Sequence, residues 1–285
     1  MMKFKLRSFL YLCLLTMIPF AFADDQYQFE NWDGAKLPVF VAKPNKINKL
    51  TRLVVVMHGR KRNAEEYRDQ WSDSAKDLNL LILVPEFSEQ NFPQVWGFNY
   101  GNLKTALLEP IDKSLHAFSA IEPLANGALK RFKLKSNNWG IYGHGAGAHF
   151  VHRYVLHHPE ASHTLAIAAN LGWYLSMTDQ EWPFGLKNSG IDDSQLKKAF
   201  SRYFLLMLGR ADTSTKPNSP YVRENWNTIN LQGKHRLERG RNFFKSAVNK
   251  SKEVDKIKGK LLNNLGSDKT ANLAAVVNLL KDLLK

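Results

Sequence analysis

The chain has 285 residues and a formal net charge of +14, and 44% of its residues are hydrophobic and 12% aromatic. These values suit one domain with a sizeable core and exclude a disordered chain. The only cysteine is Cys13, which lies in an N-terminal segment that we expect to be removed. The mature chain is therefore expected to lack disulfides, thiolate metal sites and a cysteine nucleophile.

Residues 1–23 have the pattern of a secretory signal peptide. Three basic residues precede the apolar run 8–20, and Ala21-Phe22-Ala23 matches the small-x-small cleavage pattern. The run is short for a bilayer-spanning helix, so an uncleaved membrane anchor is the less favoured alternative. We expect cleavage after Ala23 and export to a periplasm or the medium, which fits a chain without disulfides.

Strands and helices are predicted to alternate along the rest of the chain. The predicted strands cover residues 36–42, 53–57, 80–84, 139–142, 165–169 and 203–208, and the predicted helices cover 64–79, 111–132, 146–157 and 237–248. The first strand contains Pro38, which favours an edge position. This alternation predicts an α/β fold with a mostly parallel central sheet and helices on both faces. Ligands of such sheets lie beyond the carboxyl ends of the strands. Residues 171–193, rich in Trp, Pro and Gly, are predicted to form an irregular insertion over the site.

The basic charge is concentrated near the C-terminus. Residues 233–285 hold 13 Lys/Arg and 5 Asp/Glu, giving +8, whereas residues 24–232 carry +3. We expect a folded domain over residues 24–248 and a basic amphipathic helical tail over residues 249–285. The tail is interpreted as a solvated helical surface, and peripheral contact with an anionic membrane or polymer is the alternative.

The strongest motif is Gly143-His144-Gly145-Ala146-Gly147, between a predicted strand and a predicted helix. This is the layout of a nucleophile elbow, in which small first and last residues let the helix approach its strand closely. The nucleophile position is Gly145, which has no side chain to attack a substrate. No Lys-Ser/Thr pair follows, so a nucleotide P-loop is excluded, and we expect no cofactor and no nucleic-acid partner. Glycine is also expected to relax the strained turn.

Several segments resemble, in the same order, the secreted bacterial α/β hydrolases of the poly(3-hydroxybutyrate) depolymerase and esterase type. They cover residues 57–63, 85–88, 143–153, 170–174, 182–186, 208–213 and 235–240. The resemblance spans roughly residues 29–246. It implies an α/β-hydrolase fold, serine-type ancestry and an ester or polyester ligand.

The resemblance also assigns roles to individual residues. The His58-Gly59 turn and the N–H of Ala146 would donate hydrogen bonds to an oxyanion. Asp212 would be the acid of a catalytic triad, with a turn or capping aspartate as the alternative. Four aromatic residues would line the substrate pocket, although core packing explains them equally well: Trp173, Tyr174, Trp182 and Phe184.

Two departures from that family weaken the case for catalysis. Gly145 replaces the nucleophilic serine, and nothing after Phe244 resembles the expected last strand and histidine loop. His235 is the only histidine that follows Asp212. Its substitution for the missing base is one alternative, and a structural role is the other.

The other histidines are interpreted as structural. His144, His149 and His152 flank the elbow or lie on its helix, where we expect packing. His157 and His158 point in different directions and no nearby carboxylate completes a site with them, so we expect no bound metal.

Three functions remain open at this stage. The first is a catalytically degenerate esterase scaffold. The second is a weakly active carboxylic-ester hydrolase that uses Asp212 and His235. The third is a non-enzymatic binding protein of the cell envelope that uses its basic tail.

Overall fold

The structure of the chain, a computed structural model, describes residues 25–254. The predicted signal peptide lies outside this range. So does the predicted tail from residue 255 onward, including its proposed contact with membranes.

Seven strands form one sheet in the order β1-β2-β4-β3-β5-β6-β7. The strands are β1 (Gln26–Phe29), β2 (Leu37–Ala42), β3 (Arg52–Met57), β4 (Leu80–Pro85), β5 (Trp139–His144), β6 (Leu165–Ala169) and β7 (Phe204–Met207). Strands β3 to β7 run parallel, whereas β2 pairs antiparallel with both β1 and β4. The mostly parallel sheet confirms the predicted α/β architecture.

The position of β2 differs from the sequence-based expectation. Pro38 predicts an edge strand, but β2 lies between β1 and β4, and the unpredicted β1 is the edge strand. Pro38 faces Gln28 of β1, and its carbonyl accepts a hydrogen bond from the Glu86 N–H at 2.8 Å. Proline is tolerated at this position because, although it has no N–H to donate, its carbonyl still forms a hydrogen bond within the sheet.

Helices connect the strands and cover the sheet. They are α1 (Ala64–Asp77), α2 (Ile121–Arg131), α3 (Ala146–His157), α4 (Asp193–Phe200), α5 (Pro220–Glu224), α6 (Trp226–Asn230) and α7 (Arg236–Glu253). A π-helical turn spans Val95–Asn99, and two 3-10 turns precede α2. The helix predicted over residues 111–132 is therefore α2 with two short turns before it.

Strand β3 illustrates how the sheet is buried on both faces. Leu53, Val55 and Met57 belong to one core cluster, and Val54 and Val56 belong to the other. An uninterrupted apolar run has this consequence because successive side chains point to opposite faces. The central strands therefore hold the loops at their carboxyl ends on a rigid base.

The C-terminal part of the described chain ends in a helix. Strand β7 is the last strand within residues 25–254 and lies at one edge of the sheet. Helix α7 runs to Glu253, past the domain boundary predicted at residue 248. Within the described residues, no helix has the length and apolar character needed to cross a membrane.

Candidate active-site cleft

The turn between β5 and α3 has the geometry of a nucleophile elbow. Gly145 connects the two elements with φ 57° and ψ −111°, a conformation that L side chains rarely adopt. A Cβ on Gly143 would lie 2.2 Å from the Gly147 carbonyl oxygen. A Cβ on Gly147 would lie 2.2 Å from the Met57 carbonyl oxygen. Both flanking glycines are therefore required by close backbone contact.

The turn keeps the elbow conformation with Gly145 at its middle position, and relief of backbone strain by glycine stays a prediction. Its N–H donates to the Ala169 carbonyl at 3.0 Å, and its carbonyl accepts from the His149 N–H at 3.2 Å. These two backbone bonds tie the turn to β6 and to α3. A Cβ on Gly145 would meet no atom within 4 Å, so open space lies where a nucleophile would stand.

The His58-Gly59 turn lies beside the elbow, where a Cβ on Gly147 would lie 2.8 Å from the His58 carbonyl oxygen. The His58 ring is buried, with its Nε2 accepting from the Phe87 N–H and its Nδ1 donating to the Gly59 carbonyl, both at 3.0 Å. Burial lowers the pKa of His58 to about 3, so the ring is neutral. The ring therefore fixes the loop from inside the core, while Gly59 and Ala146 line the cleft together with Gly145.

The cleft has a volume of about 700 Å³. Of the four predicted pocket aromatics, Trp173 lines it, and the other three are absent from its lining. Tyr174 stacks on Phe243 at 4.7 Å between ring centroids, and Trp182 packs against Tyr100 at 5.6 Å. Phe184 is buried in the same core cluster. For Tyr174, Trp182 and Phe184, core packing therefore replaces the predicted pocket role.

A bonded group of aromatic residues forms one wall of the cleft. The Trp173 indole N–H donates to the Tyr100 hydroxyl at 2.9 Å, and that hydroxyl shares a 2.7 Å hydrogen bond with Tyr221. Trp173 also packs at a tilt against the His149 ring, with 4.1 Å between centroids, and stacks on Tyr221 at 5.4 Å. The fully buried Arg153 guanidinium lies 4.5 Å from the Tyr100 ring centroid. This network fixes the orientation of the wall.

Asp212 follows β7, as the sequence predicts, but its partner is not His235. Its Oδ2 lies 3.7 Å from Arg236 Nη1. His235 precedes α7 and uses its ring Nδ1 to accept from the Glu238 N–H at 3.2 Å. Because the His235 ring caps the helix, the next residue, Arg236, is the one that faces the carboxylate.

A second cavity, of about 310 Å³, adjoins the cleft beside Asp212. Both cavities are lined by His144, Gly172 and Arg236. Burial, and then the charge of Arg236, lower the pKa of His144. Sequence reasoning assigned no site role to His144 or Arg236. The signal available was their position, directly before the nucleophile turn and at the start of a helix that follows Asp212.

The histidines of α3 hold neighbouring backbone segments in place. His149 and His152 are fully buried on α3, where each accepts a backbone N–H, from Gly172 and Leu175. Across residues 25–254, no group of three or more His, Cys, Asp or Glu is arranged to hold a metal ion.

The chain is similar to several solved structures of hydrolases. It is 32% identical to poly(aspartic acid) hydrolase-1 from Sphingomonas sp. KT-1, with a TM-score of 0.80 over 91% of this chain and 97% of that chain. The poly(3-hydroxybutyrate) depolymerase LpqC from Bordetella parapertussis is 24% identical, with a TM-score of 0.76 over 90% of this chain and 89% of that chain. The siderophore hydrolase EstB from Aspergillus nidulans shares the fold at 11% identity, with a TM-score of 0.52 over 91% and 94% of the two chains. These structures confirm the α/β-hydrolase fold. No protein-family model matches the chain, and no curated protein matches it in sequence.

Proposed function

Since the chain belongs to the α/β-hydrolase family that includes poly(aspartic acid) hydrolase-1, we propose that it binds an ester or polyester at the elbow without serine-type turnover. The observation that carries this proposal is Gly145 in a fully formed elbow. The turn, the flanking glycines and the space above them are present, but no nucleophilic side chain occupies the middle position. The elbow that would bind the ester carbonyl is therefore retained, although the nucleophile needed for covalent catalysis is absent.

The groups that would receive a carbonyl oxygen support binding. Ala146 is the first residue of α3, where a backbone N–H has no partner within the helix. Helix N-termini favour negative charge on a bound oxygen. The His58 ring fixes the adjacent Gly59 loop, so both sides of the oxyanion position are pre-organised.

The surroundings of Asp212 argue against a working triad built on His235. The His235 ring accepts a hydrogen bond at the start of α7 and lines neither cavity. The carboxylate of Asp212 faces the guanidinium of Arg236, a hydrogen-bond donor without an acceptor atom, which cannot take a proton from a nucleophile. The weakly active hydrolase is therefore the less favoured alternative.

Export is part of the same proposal. Residues 1–23 have the sequence pattern of a signal peptide, and the folded domain would act after their removal. The mature chain carries no cysteine, so it needs no disulfide-forming step after secretion.

Calorimetric titration with ethyl butyrate, run beside a hydrolysis assay, tests the proposed function. We expect saturable binding without measurable product release. Trp173→Ala should weaken binding by roughly fivefold because it removes an aromatic wall of the cleft. Tyr203→Ala, a change at an aromatic residue that is 61% exposed and does not line the cleft, is the matched control.

A second variant keeps the test valid if Trp173→Ala folds poorly. Asn218 is exposed and lines both cavities, so Asn218→Trp should obstruct ligand entry without disturbing the core. Rapid ester hydrolysis by the unmodified chain, or binding that neither Trp173→Ala nor Asn218→Trp reduces, would overturn the proposal.

A further inference from the structure

The smaller cavity carries an excess of positive charge. Its lining includes the cationic side chains Lys216, Arg236 and Arg239 and one acidic side chain, Asp212. Because it shares His144, Gly172 and Arg236 with the larger cleft, a ligand can extend from one space to the other. The excess of cations beside an apolar cleft predicts an anionic group on the ligand.

The single ion pair in this cavity is loose. Arg236 Nη1 lies 3.7 Å from Asp212 Oδ2, whereas bidentate guanidinium–carboxylate contacts have hydrogen bonds of about 2.7–2.9 Å. The Arg236 side chain is 28% exposed, so its remaining N–H groups are accessible from the cavity. Asp212 thus orients Arg236 but leaves guanidinium N–H groups available to bind a ligand.

Arg239 adds a buried charge that makes no close ion pair with a carboxylate of the described residues. It is 3% exposed and donates to two carbonyls, of Gly172 at 2.7 Å and Gly233 at 3.0 Å. No ion pair of Arg239 occurs among the described residues. Burial, and then the like charge of Arg236, lower its pKa to about 10, so the group stays protonated at neutral pH. A buried cation is costly without a counter-charge, and a bound anion would supply one.

Two further groups face the same space. His144 Nε2 is buried and has no hydrogen-bond partner within residues 25–254. Lys216 is exposed at the rim of the cavity and makes no ion pair with any described residue. Lys216 and Arg236 can donate to an oxygen bound in the cavity.

We propose that this cavity binds a carboxylate carried by the ligand, so that the protein selects acidic esters whose ester carbonyl lies at Gly145. The carboxylate would pair with Arg236 and Lys216, and the buried charge of Arg239 would add long-range attraction. The placement of the ester carbonyl rests on the proposed function, whereas carboxylate binding by the cavity does not. The net positive charge of the cavity attracts either anion, so a comparison of a carboxylate ester with a phosphate ester decides which one it prefers.

A matched pair of probes tests this assignment on the full chain. Monoethyl succinate and ethyl butyrate have the same length and differ by a carboxylate in place of a methyl group. At low salt we expect monoethyl succinate to bind at least about tenfold more tightly, the gain typical of a charge-assisted hydrogen bond. This preference should shrink as the salt concentration rises.

Charge-removing variants show which side chains cause the preference for monoethyl succinate. Arg236→Gln and Lys216→Gln should each remove most of the preference, and the second keeps the test valid if the first variant folds poorly. Lys197→Gln removes the same charge from the exposed surface of α4 and should leave the preference unchanged. Arg239 is left intact because it holds two backbone carbonyls.

The outcomes separate the two proposals. Equal affinity for the two esters, an equal loss in Lys197→Gln, or tighter binding of butyl phosphate than of monoethyl succinate would overturn the carboxylate site. Free succinate that binds and depends on Arg236, while neither ester binds, would support the carboxylate site and reject the ester part of the proposed function. No binding of succinate or of either ester would reject both.

Discussion

Mild acid should destabilise this protein strongly, because several histidines are buried in their neutral form. Burial lowers the pKa of His58, His157 and His163 to about 3, and for His163 neither ring nitrogen has a hydrogen-bond partner among the described residues. In the unfolded chain these rings titrate near a pKa of about 6.5. Below that pH the unfolded state therefore binds more protons than the folded state. The stability from these groups is fully present above about pH 6.5 and is lost as the pH falls toward 3.

The size of the effect follows from proton linkage. Between pH 7 and pH 5, each of the three histidines lowers the free energy of unfolding by about 2 kcal/mol, or about 6 kcal/mol together. That loss is comparable to the whole stability of a typical domain, about 5–15 kcal/mol. We therefore expect the protein to be only marginally stable, or unfolded, near pH 5.

Urea denaturation at half-unit pH steps from 8 to 5 measures the loss directly. His163→Leu removes one titrating ring beside Trp139 and should reduce the pH 7 to pH 5 loss by about 2 kcal/mol. Between pH 7 and 8 the two proteins should show parallel, nearly flat profiles, which is the internal control. A free energy of unfolding that is constant from pH 7 to pH 5 would refute the reasoning.

Three further predictions concern the elbow, the wall and export. Gly147→Ala should cost about 3 kcal/mol, since its Cβ would overlap the Met57 carbonyl, and a denaturant midpoint equal to that of the unmodified chain would contradict this. Tyr221→Phe should cost about 1 kcal/mol by removing the hydrogen bond to Tyr100, measured by the same denaturation; unaltered stability would count against the bonded wall. The exported protein should begin at Asp24 by intact mass, and a mass that includes residues 1–23 would disprove cleavage.

The features that the sequence predicted well are those set by local pattern. The apolar runs of β3 and β4 predict strands buried on both faces, and the structure has them within a residue of the expected bounds. Gly143 and Gly147 are predictable because a strand that turns directly into a helix leaves no room for a Cβ. In both cases the physical cause lies within a few residues along the chain.

The features that the sequence missed depend on contacts between distant segments. Whether an aromatic residue lines a pocket or fills the core cannot be read from its type, and Tyr174 lies against Phe243 of α7. The side chain that faces Asp212 depends on how α7 begins, and the N-cap of that helix places Arg236 there. Neighbouring residues of a chain can point in different directions, so a motif that contains both His235 and Arg236 does not reveal which one reaches the site.

The elbow variant Gly145→Ser tests the central claim, that this scaffold binds but does not turn over. The new Cβ meets no atom within 4 Å, so the serine fits sterically, but its backbone must hold φ 57° at a cost of about 1–3 kcal/mol. Gly145→Ala is the matched control for that strain and should be destabilised equally. The measurement is ester turnover for the unmodified chain and both variants, with their free energies of unfolding.

We expect none of the three proteins to hydrolyse esters rapidly, because the serine would lack a histidine base paired with Asp212. At most, the serine variant should react slowly with a phosphonate probe. Rapid turnover by the unmodified chain would contradict the central claim, and turnover by Gly145→Ser near the usual ~10 s⁻¹ of enzymes would contradict the absence of a base beside the elbow. Such turnover by the serine variant would mean that a working base exists beside the elbow, and His144 would be the first residue to replace. It would also mean that the unmodified chain lacks turnover only because glycine occupies position 145.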